Sequence, residues 1–386
     1  MKILIVHNTL NDSRSLSGAL RHFLYASEEW NARGHQTDYL CARAGFPQIG
    51  SLAPRSRLIS SDGIFDATKY VNQTWRYFPA YGYRMVTPFV TRLPERYDVV
   101  IASTQVIFEV YPALVIARKH RAKLVAKVHH VLAAQDKRVG AFDRLFLWSE
   151  RKTTRWMSRH ADLVICGTKV VEADYKWLEQ KLGVAPARTA ASGYGVDLQK
   201  LPDSSDFPKQ YDVVHLGRLH EHKGVLHLPE LWKKVTAQRP GAKLLVIGEG
   251  PHRPAVEQGF REAGLWEQVR FTGGIPEKEK DELLCQSRIG LSLSFEEGWG
   301  LSVNEFLGAA IPVVAYHLPI FDTVFPGQLS QVPVGDTTAA ASEIVRLLNM
   351  PEERKRVGVQ GREFVSRYDF RNVAREELAM IQNLFG

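Results

Sequence analysis

Two pairs of charged residues in the second half of the chain have the types and spacing of a binding site for an anionic ligand. Glu297 and Glu305 lie eight positions apart in FEEGWGLSVNE, and Arg218 and Lys223 lie five apart in GRLHEHKG. The arginine and the lysine could clamp a diphosphate, the arginine through a planar fork of donors and the lysine as a point charge. Either pair alone could also be ordinary charge on a solvated loop.

Glycines between the two acids indicate a turn that leads into a helix. Gly300 and a second glycine two positions earlier each disfavour a helix interior by about 1 kcal/mol, so we predict a helix that begins near Ser302. The unpaired N–H groups of Leu301 and Ser302 would then form an anion site. Glu297 would precede the turn and Glu305 would lie within the first helical turns, so the two acids would have different roles.

Short apolar runs that alternate with helix-like stretches must position these residues. The runs are rich in Val, Ile and Leu and are predicted as strands at 2–6, 97–103, 123–128, 161–168, 211–219, 242–250, 268–274, 288–294 and 311–316. Such runs indicate strands buried on both faces, and therefore parallel sheets covered by helices. A polar linker at 201–210 divides the series in two. The sequence therefore predicts two Rossmann-like α/β domains, whose ligands bind at the carboxyl ends of the strands.

The size, cysteine content and charge of the chain narrow the class of protein. Its 386 residues exceed the roughly 250–300 at which one core stops growing, which favours two domains. Three scattered cysteines, with no apolar run long enough for a membrane span, indicate a cytosolic protein without disulfides. The formal net charge of +8 is concentrated in the first half, which either meets an anionic partner or presents a solvated basic surface.

Two residues of the first half complete the set of candidates. His129 ends the strand-like run KLVAKVH, where its side chain could face a ligand, although a single histidine is more often structural. Gly18 lies where the first helix should start, in NDSRSLSGA. This turn lacks the GxGxxG pattern, so a nicotinamide cofactor is not indicated.

Taken in order, these motifs resemble the retaining glycosyltransferases of family 4, also called glycosyl transferases group 1. The motifs are Gly18 in the first turn, GHQTDYLC, KVH with His129, SGYGVD, GRLHEHKG, VIGEG, VRFTGGI and EGWGLSVNE followed by FLGAAIPVVA. The resemblance implies the GT-B fold, an α/β architecture of two Rossmann-like domains whose parallel sheets face a central cleft. The sequence departs from the family pattern at two places. The segment HNTLNDSRSLSG lacks the paired glycine that many members have, and YHLPIFDTVF stands where members often have a glycine-rich segment.

The resemblance also implies roles for the candidate residues. Arg218 and Lys223 would hold the diphosphate of a nucleotide sugar, Glu305 its ribose, and Glu297 the transferred sugar, with His129 near the anomeric centre. The donor-binding set is completed by Gly18, Gly217, Ile275, Gly300, Leu301 and Ser302. No cofactor or metal ion is expected, because the cations would replace a divalent ion on the diphosphate.

The implied activity is transfer of a sugar from a UDP- or GDP-linked donor to a hydroxyl of a glycan or lipid-linked saccharide. Residues 1–198 would bind the acceptor and 199–371 the donor, with a final helix at 372–386 returning to the first domain. Other GT-B enzymes, namely nucleotide-sugar epimerases and phosphorylases, remain alternatives, as does a non-catalytic protein that binds nucleotide sugars. A nucleic-acid partner is not expected, because the second half is acidic and no RNA-binding module is present.

A basic stripe in the first half suggests where an acceptor could bind. Its arginines are spaced seven, four and four apart, at Arg144, Arg151, Arg155 and Arg159. Aromatic and apolar residues accompany them, namely Phe142, Leu145, Phe146, Trp148 and Trp156, and others lie between 66 and 96. These residues could form ordinary core, stack on sugar rings, or lie against an anionic membrane. We expect peripheral contact with the inner face of a membrane, without insertion across it.

Overall fold

The computed structural model describes residues 1–8, 18–62, 77–134, 141–202, 204 and 207–386. The chain divides into two compact units. The first unit contains Met1–Gly195 together with Phe370–Gly386, and the second unit is Val196–Asp369. The predicted first turn, at 9–17, and the aromatic residues predicted at 66–76 lie outside the described residues.

The first unit contains a parallel sheet of seven strands with helices between them, in the order β3-β2-β1-β4-β5-β6-β7. Its strands are β1 (Lys2–His7), β2 (Gln36–Cys41), β3 (Arg57–Ser60), β4 (Val99–Ala102), β5 (Lys123–Val128), β6 (Leu163–Cys166) and β7 (Thr189–Ala191). The helices between them are α1 (Gly18–Ala32), α2 (Phe46–Leu52), α3 (Tyr77–Val90), α4 (Ile107–His120), α5 (Ala141–His160) and α6 (Lys169–Lys181). The strand order reverses between β1 and β4, which is where Rossmann-like sheets bind ligands.

The central strand β1 shows why an unbroken apolar run forms this kind of sheet. Ile3 and Ile5 lie in the core on one face of the sheet, and Leu4 and Val6 lie in the core on the other. Since successive side chains of a strand point to opposite faces, both faces are apolar only when every position is apolar.

The second unit contains a parallel sheet of six strands in the order β10-β9-β8-β11-β12-β13. Its strands are β8 (Tyr211–Leu216), β9 (Leu244–Ile247), β10 (Val269–Gly273), β11 (Ser287–Ser292), β12 (Val313–Tyr316) and β13 (Ser330–Val332). Its helices are α7 (Leu228–Gln238), α8 (Arg253–Glu262), α9 (Glu277–Cys285), α10 (Leu301–Gly308), α11 (Pro319–Val324), α12 (Thr337–Asn349) and α13 (Pro351–Val365). The order reverses between β8 and β11, and sheets of this kind bind ligands beside such a reversal, at the carboxyl edge of the sheet.

The last helix, α14 (Phe370–Gln382), packs against α1 and belongs to the first unit. The indole N–H of Trp30 donates to the carbonyl oxygen of Ala374 at 2.7 Å. Arg375 pairs with Glu29 at 2.8 Å, and Ile381 is fully buried in the core beside the sheet. The last segment of the chain therefore completes the core of the first unit.

The predicted fold class is confirmed, because both units are α/β layers built on parallel sheets. Each of the nine predicted strand runs overlaps a strand of the structure. The sequence prediction did not include β2, β3, β7 and β13, and it placed the start of α10 one residue late.

Candidate functional site

Two loops meet where the strand order of the second unit reverses. The loop after β8 carries Arg218 and Lys223, and the loop after β11 carries Glu297. The backbone N–H of Phe295 donates to the carbonyl oxygen of His222 at 2.9 Å, which joins the loops directly. Gly224 permits this contact, because a Cβ there would lie 2.0 Å from the carbonyl oxygen of Leu293 and its φ of +64° favours glycine.

Lys223 and Glu297 form an ion pair at this junction. The Nζ of Lys223 lies 2.5 Å from Oε1 of Glu297, and the same carboxylate oxygen accepts from Oγ of Ser294 at 2.7 Å. The side chains are 22% and 10% exposed. The structure therefore brings together two predicted residues, and it pairs the lysine with an acid that was predicted to bind the sugar.

Arg218 has a different environment, although it lies in the same loop. Its side chain is exposed and forms no hydrogen bond or ion pair with any residue that the structure describes. An arginine with unused donors at the carboxyl edge of a parallel sheet is suited to bind phosphate oxygens.

The N-terminus of α10 lies after the same loop as Glu297. Gly300 precedes the helix with φ of +98°, and no side chain caps the helix. A Cβ at Gly300 would lie 2.8 Å from a ring carbon of Phe321, so only glycine fits here. The first N–H groups of the helix, beginning with Leu301 and Ser302, point along the positive end of the helix dipole.

Glu305 lies in the second turn of α10 and pairs with a lysine that sequence reasoning missed. The Nζ of Lys280, on α9, lies 2.5 Å from Oε1 of Glu305. Lys280 occurs in EKEKDE, a run whose composition is that of a solvated helix, so its burial has no local sequence signal. Each of the two predicted acids thus has its own lysine.

The remaining predicted residues of the second unit follow the carboxyl ends of β8 and β10, which lie on either side of β9. Gly217 directly follows β8, and its N–H donates to the carbonyl oxygen of Ile247 at 3.0 Å. Ile275 lies half-buried between β10 and α9.

His129 follows β5 in the first unit, and both of its ring nitrogens have partners. Nε2 lies 2.7 Å from the carbonyl oxygen of Ser103 and must donate to it, so Nδ1 accepts from the hydroxyl of Tyr194. Burial, together with the charge of Lys127, holds the pKa of His129 well below its ordinary value. The imidazole is therefore neutral at physiological pH, with its tautomer set by two hydrogen bonds.

A buried polar cluster lies beside His129 and includes a residue of the C-terminal helix. Glu377 of α14 pairs with Lys127, accepts from Oγ of Ser192 at 2.5 Å and contacts Nε2 of His22 at 2.9 Å. The ammonium group of Lys127 lies 5.1 Å from the centre of the Tyr194 ring. Tyr194 occurs in a motif that the resemblance includes, whereas Glu377 has no sequence signal because it is 250 residues from Lys127.

The predicted basic stripe lies on α5, and its four arginines are exposed. Leu145, Phe146 and Trp148, near the start of this helix, are exposed too, with Trp148 at 54%. Trp156 is half-buried and lies against Tyr111 with ring centres 5.6 Å apart. The side chain of Phe142 lies outside the described part of the chain.

Two features are absent from the residues that the structure describes. No helix in the described ranges is both long enough and apolar enough to cross a membrane. No group of three or more His, Cys, Asp or Glu side chains within those ranges is arranged to hold a metal ion.

Family models match most of the chain. The family described as "Glycosyltransferase Family 4" matches residues 16–200, and the family described as "Glycosyl transferases group 1" matches residues 199–364. The two models meet at residues 199–200, a few positions after the boundary between the units at Gly195, and together they include every predicted site residue.

Individual relatives share a quarter to a third of their residues with this chain over the aligned regions. The chain is 30% identical over 220 residues to phosphatidyl-myo-inositol mannosyltransferase of Mycobacterium leprae, which covers 54% of this chain and 56% of that protein. It is 25% identical over 296 residues to sulfoquinovosyl transferase SQD2 of Arabidopsis thaliana, covering 71% and 54%. The chain therefore spans about half the length of the curated relatives it matches.

Solved structures share the fold at low identity. Sucrose-phosphate synthase from Thermosynechococcus elongatus superposes with a TM-score of 0.81 at 18% identity, covering 100% of this chain and 99% of that one. The Anabaena protein HepE, solved in complex with UDP and glucose, superposes with a TM-score of 0.74 at 16% identity, covering 99% and 100%. The fold is GT-B, and the chain belongs to the group 1 glycosyltransferases of family 4.

Proposed function

We propose that this protein transfers a sugar, with retention of anomeric configuration, from a UDP- or GDP-linked donor to a hydroxyl acceptor. The observation that carries the proposal is the arrangement at the carboxyl edge of the second sheet. There the exposed Arg218, the Lys223–Glu297 pair and the uncapped N-terminus of α10 follow two adjacent strands. Positive groups on both sides of an edge loop suit a diphosphate, which carries its charge between the nucleoside and the sugar.

Each residue of this edge has a role in the proposal. Arg218 and the N–H groups at the start of α10 bind the diphosphate oxygens. Lys223 keeps its contact with Glu297 and also donates a hydrogen bond to a phosphate oxygen, since an ammonium group has three donors. Glu297 also accepts hydrogen bonds from hydroxyls of the transferred sugar, and Glu305 accepts those of the ribose. No metal ion is required, because these cations neutralise the leaving diphosphate.

The reaction breaks the bond between the anomeric carbon and the oxygen of the β-phosphate. The acceptor oxygen bonds to that carbon from the face that the diphosphate leaves, and the acceptor proton passes to the departing phosphate oxygen. Stabilisation is greatest where the negative charge of the diphosphate grows, so Arg218 and Lys223 act mainly on the transition state. His129 is held neutral, so the proposal gives it no role as a positive charge.

The test is detection by mass spectrometry of the nucleoside diphosphate released from UDP-, GDP- and ADP-sugars, with a lipid extract or a glycan mixture as acceptor. Release that depends on the acceptor, and that falls in Arg218→Ala, supports sugar transfer. Release of a free epimer, or phosphate-dependent cleavage of a glycan, would instead favour the epimerase or the phosphorylase. Tight nucleotide-sugar binding without turnover in any mixture would favour a binding protein.

We further propose that the acceptor is lipid-linked and that α5 contacts an anionic membrane surface. The exposed Leu145, Phe146 and Trp148 lie at the start of a helix that carries exposed arginines at 144, 151, 155 and 159. Apolar side chains beside a basic stripe suit the interface of an anionic bilayer, where each arginine contributes about 1 kcal/mol.

Liposome co-sedimentation tests this contact. Phosphatidylserine vesicles should retain the protein at low salt and release it at high salt, because salt screens the attraction. Arg151→Ala/Arg155→Ala should weaken retention, whereas the matched variant Lys355→Ala/Arg356→Ala, at exposed positions of α13, should not. Equal recovery with neutral and anionic vesicles would refute the membrane contact and favour a soluble glycan acceptor.

A further inference from the structure

Lys280 is a buried lysine that the roles described so far do not include. Its side chain is only 7% exposed. A lysine is almost never buried unless it is paired with an acid. Its ammonium group lies near three carboxylates, at 2.5 Å from Oε1 of Glu305, 2.8 Å from Oε2 of Glu277 and 3.2 Å from Oδ1 of Asp281. Two of these acids belong to its own helix α9, and Glu305 belongs to α10.

The two acids on α9 fix the position of the ammonium group. Glu277 precedes Lys280 by three positions, which places the two side chains on one face of the helix. Asp281 is in a poorly solvated position, since burial raises its pKa to about 6, with Lys280 opposing that rise and Glu305 adding to it. The cluster is thus a charged group held in a site of low solvation, where an uncompensated charge is costly.

The contact from Lys280 fixes one oxygen of Glu305 and so sets the plane of its carboxylate. A glutamate has three side-chain torsions, and ordering a long side chain on binding costs about 0.5–1.5 kcal/mol. A carboxylate has about four lone-pair sites, so it can accept from a lysine and from ribose hydroxyls at the same time. Because the carboxylate is already ordered in the folded protein, this entropy cost does not reduce the affinity for the nucleotide.

We propose that Lys280 is a positioning residue, which orients Glu305 and thereby sets the preference of the site for a ribonucleotide over a deoxyribonucleotide. The proposal rests on the nucleotide-sugar site proposed above and extends it to a residue of α9. It follows that removing Lys280 should weaken binding only to ligands that carry the ribose hydroxyls.

The test is isothermal titration calorimetry of the whole protein with UDP and 2′,3′-dideoxy-UDP, or with the GDP pair if GDP binds more tightly. We expect the unmodified protein to prefer the ribonucleotide by on the order of tenfold or more, the effect of hydrogen bonds to a charged acceptor. Lys280→Met should lose most of that preference through weaker binding of the ribonucleotide, with the dideoxy form bound as before. Lys280→Arg, which keeps the charge, should restore part of the preference.

Two further variants guard against a general effect on folding. Lys280→Met/Asp281→Asn removes one of the carboxylates that the single variant leaves unpaired, and it should show the same loss of preference. Lys234→Met removes a lysine of α7 that bonds Glu230 at 2.7 Å, and it should leave both affinities unchanged.

Equal weakening of the ribonucleotide and the dideoxynucleotide in Lys280→Met would overturn the proposal, because it would show a structural role alone. Full retention of the preference would overturn it as well. A failure of the unmodified protein to bind UDP, GDP or ADP would be a separate result, which refutes the nucleotide site itself and with it the role of Lys280.

Discussion

The two units use the same chemistry, a lysine beside a glutamate, in opposite environments. In the first unit Lys127 and Glu377 are each 1% exposed and bond to Ser192 and His22 as well. In the second unit Lys223 and Glu297 are 22% and 10% exposed, at the edge of the sheet. A fully buried pair cannot exchange its partner without a large desolvation cost, whereas an edge pair can accept a ligand. The contrast fits the proposal above, in which the edge pair acts on the substrate, while the buried pair fixes structure.

The surroundings of the two pairs support this contrast. Burial alone would raise the pKa of Glu377, but His22 and Lys127 hold that pKa well below its ordinary value. A second buried pair of the first unit, Arg84 with Asp62 at 2.5 Å, has no exposed side-chain surface. At the edge of the second sheet, by contrast, Arg218 is exposed. Charges that are all satisfied internally stabilise a fold, and a charge with unused donors can bind an anion.

The largest effect is expected where the buried pair is broken. Glu377→Gln leaves Lys127 charged without its carboxylate, which should lower the free energy of unfolding of the first unit by about 3–5 kcal/mol. Hydrogen exchange measured on β1 and on β8 separates the units. In Glu377→Gln the protection of β1 amides against exchange should fall, whereas the protection of β8 amides should be unchanged.

The control for this prediction is the adjacent Glu376→Gln, on the exposed side of α14, which should change neither unit. The double variant Lys127→Met/Glu377→Gln should recover much of the loss, because no charge is then left unpaired. Unchanged protection of β1 in Glu377→Gln would show that the buried pair does not stabilise the first unit.

The second effect is on turnover without an effect on stability. Arg218→Ala should reduce kcat by about 10²–10³-fold, the usual consequence of removing one donor from a developing negative charge. The free energy of unfolding should change by less than about 0.5 kcal/mol, since the side chain is exposed. Steady-state rates and urea unfolding measure the two quantities. Arg356→Ala, an exposed arginine of α13, should change neither, and near-normal turnover in Arg218→Ala would mean that the phosphate site lies elsewhere.

The third effect tests whether the edge pair is exchangeable. Glu297→Gln keeps the size of the side chain and removes its charge, so the partly exposed Lys223 can be solvated. We expect the free energy of unfolding to fall by at most about 1 kcal/mol. We expect kcat/KM for the donor to fall by about tenfold, because one hydrogen bond to a charged group is lost. A loss of stability as large as in Glu377→Gln would remove the distinction between the two pairs.

The sequence predicted the parts of the molecule whose cause is local. Strands β1, β5, β8 and β11 lie inside their sheets and are built around buried Val, Ile, Leu or Ala residues, so their composition identifies them. Strands β3, β7 and β13 have three or four residues each, too few to show a period. The strand β2 contains Gln36, Thr37 and Asp38, whose polarity is that of a loop.

The same division holds for the candidate site. Arg218, Lys223, Glu297 and Glu305 lie in two short motifs, each with a strand, a glycine turn and a helix, so sequence spacing finds them. Their lysine and carboxylate partners are set by packing. The Lys280–Glu305 pair spans 25 positions and the Lys127–Glu377 pair spans 250, and no local pattern reports such a contact. The sequence therefore located the candidate residues but not what holds them in place.

The smallest effect concerns pH and links the edge pair to a buried neighbour. Burial and, to a smaller extent, the charge of Lys223 lower the pKa of His215, on β8, to about 4, while the charge of Glu297 opposes them. In the unfolded chain a histidine titrates near 6.5. Between pH 6.5 and 4 the unfolded chain therefore binds the extra proton and the folded protein does not, so stability falls as the pH falls. The loss should approach about 1.4 kcal/mol for each pH unit below 6.5.

His215→Gln should remove that part of the pH dependence. Asp281 acts in the opposite direction, since its pKa is raised to about 6 and protonation then favours the folded state. The measurement is therefore the difference between variant and unmodified protein in the change of unfolding free energy from pH 7 to 5.5, taken from hydrogen exchange of the second unit. We expect the variant to lose about 1 kcal/mol less over this interval. Lys223→Met should also reduce the dependence of the unfolding free energy on pH, but by a smaller amount. It removes only the charge near His215 and leaves His215 buried. If both variants keep the full slope, the charge at the edge of the sheet does not reach the core beneath it, and the edge pair is electrostatically independent of the fold.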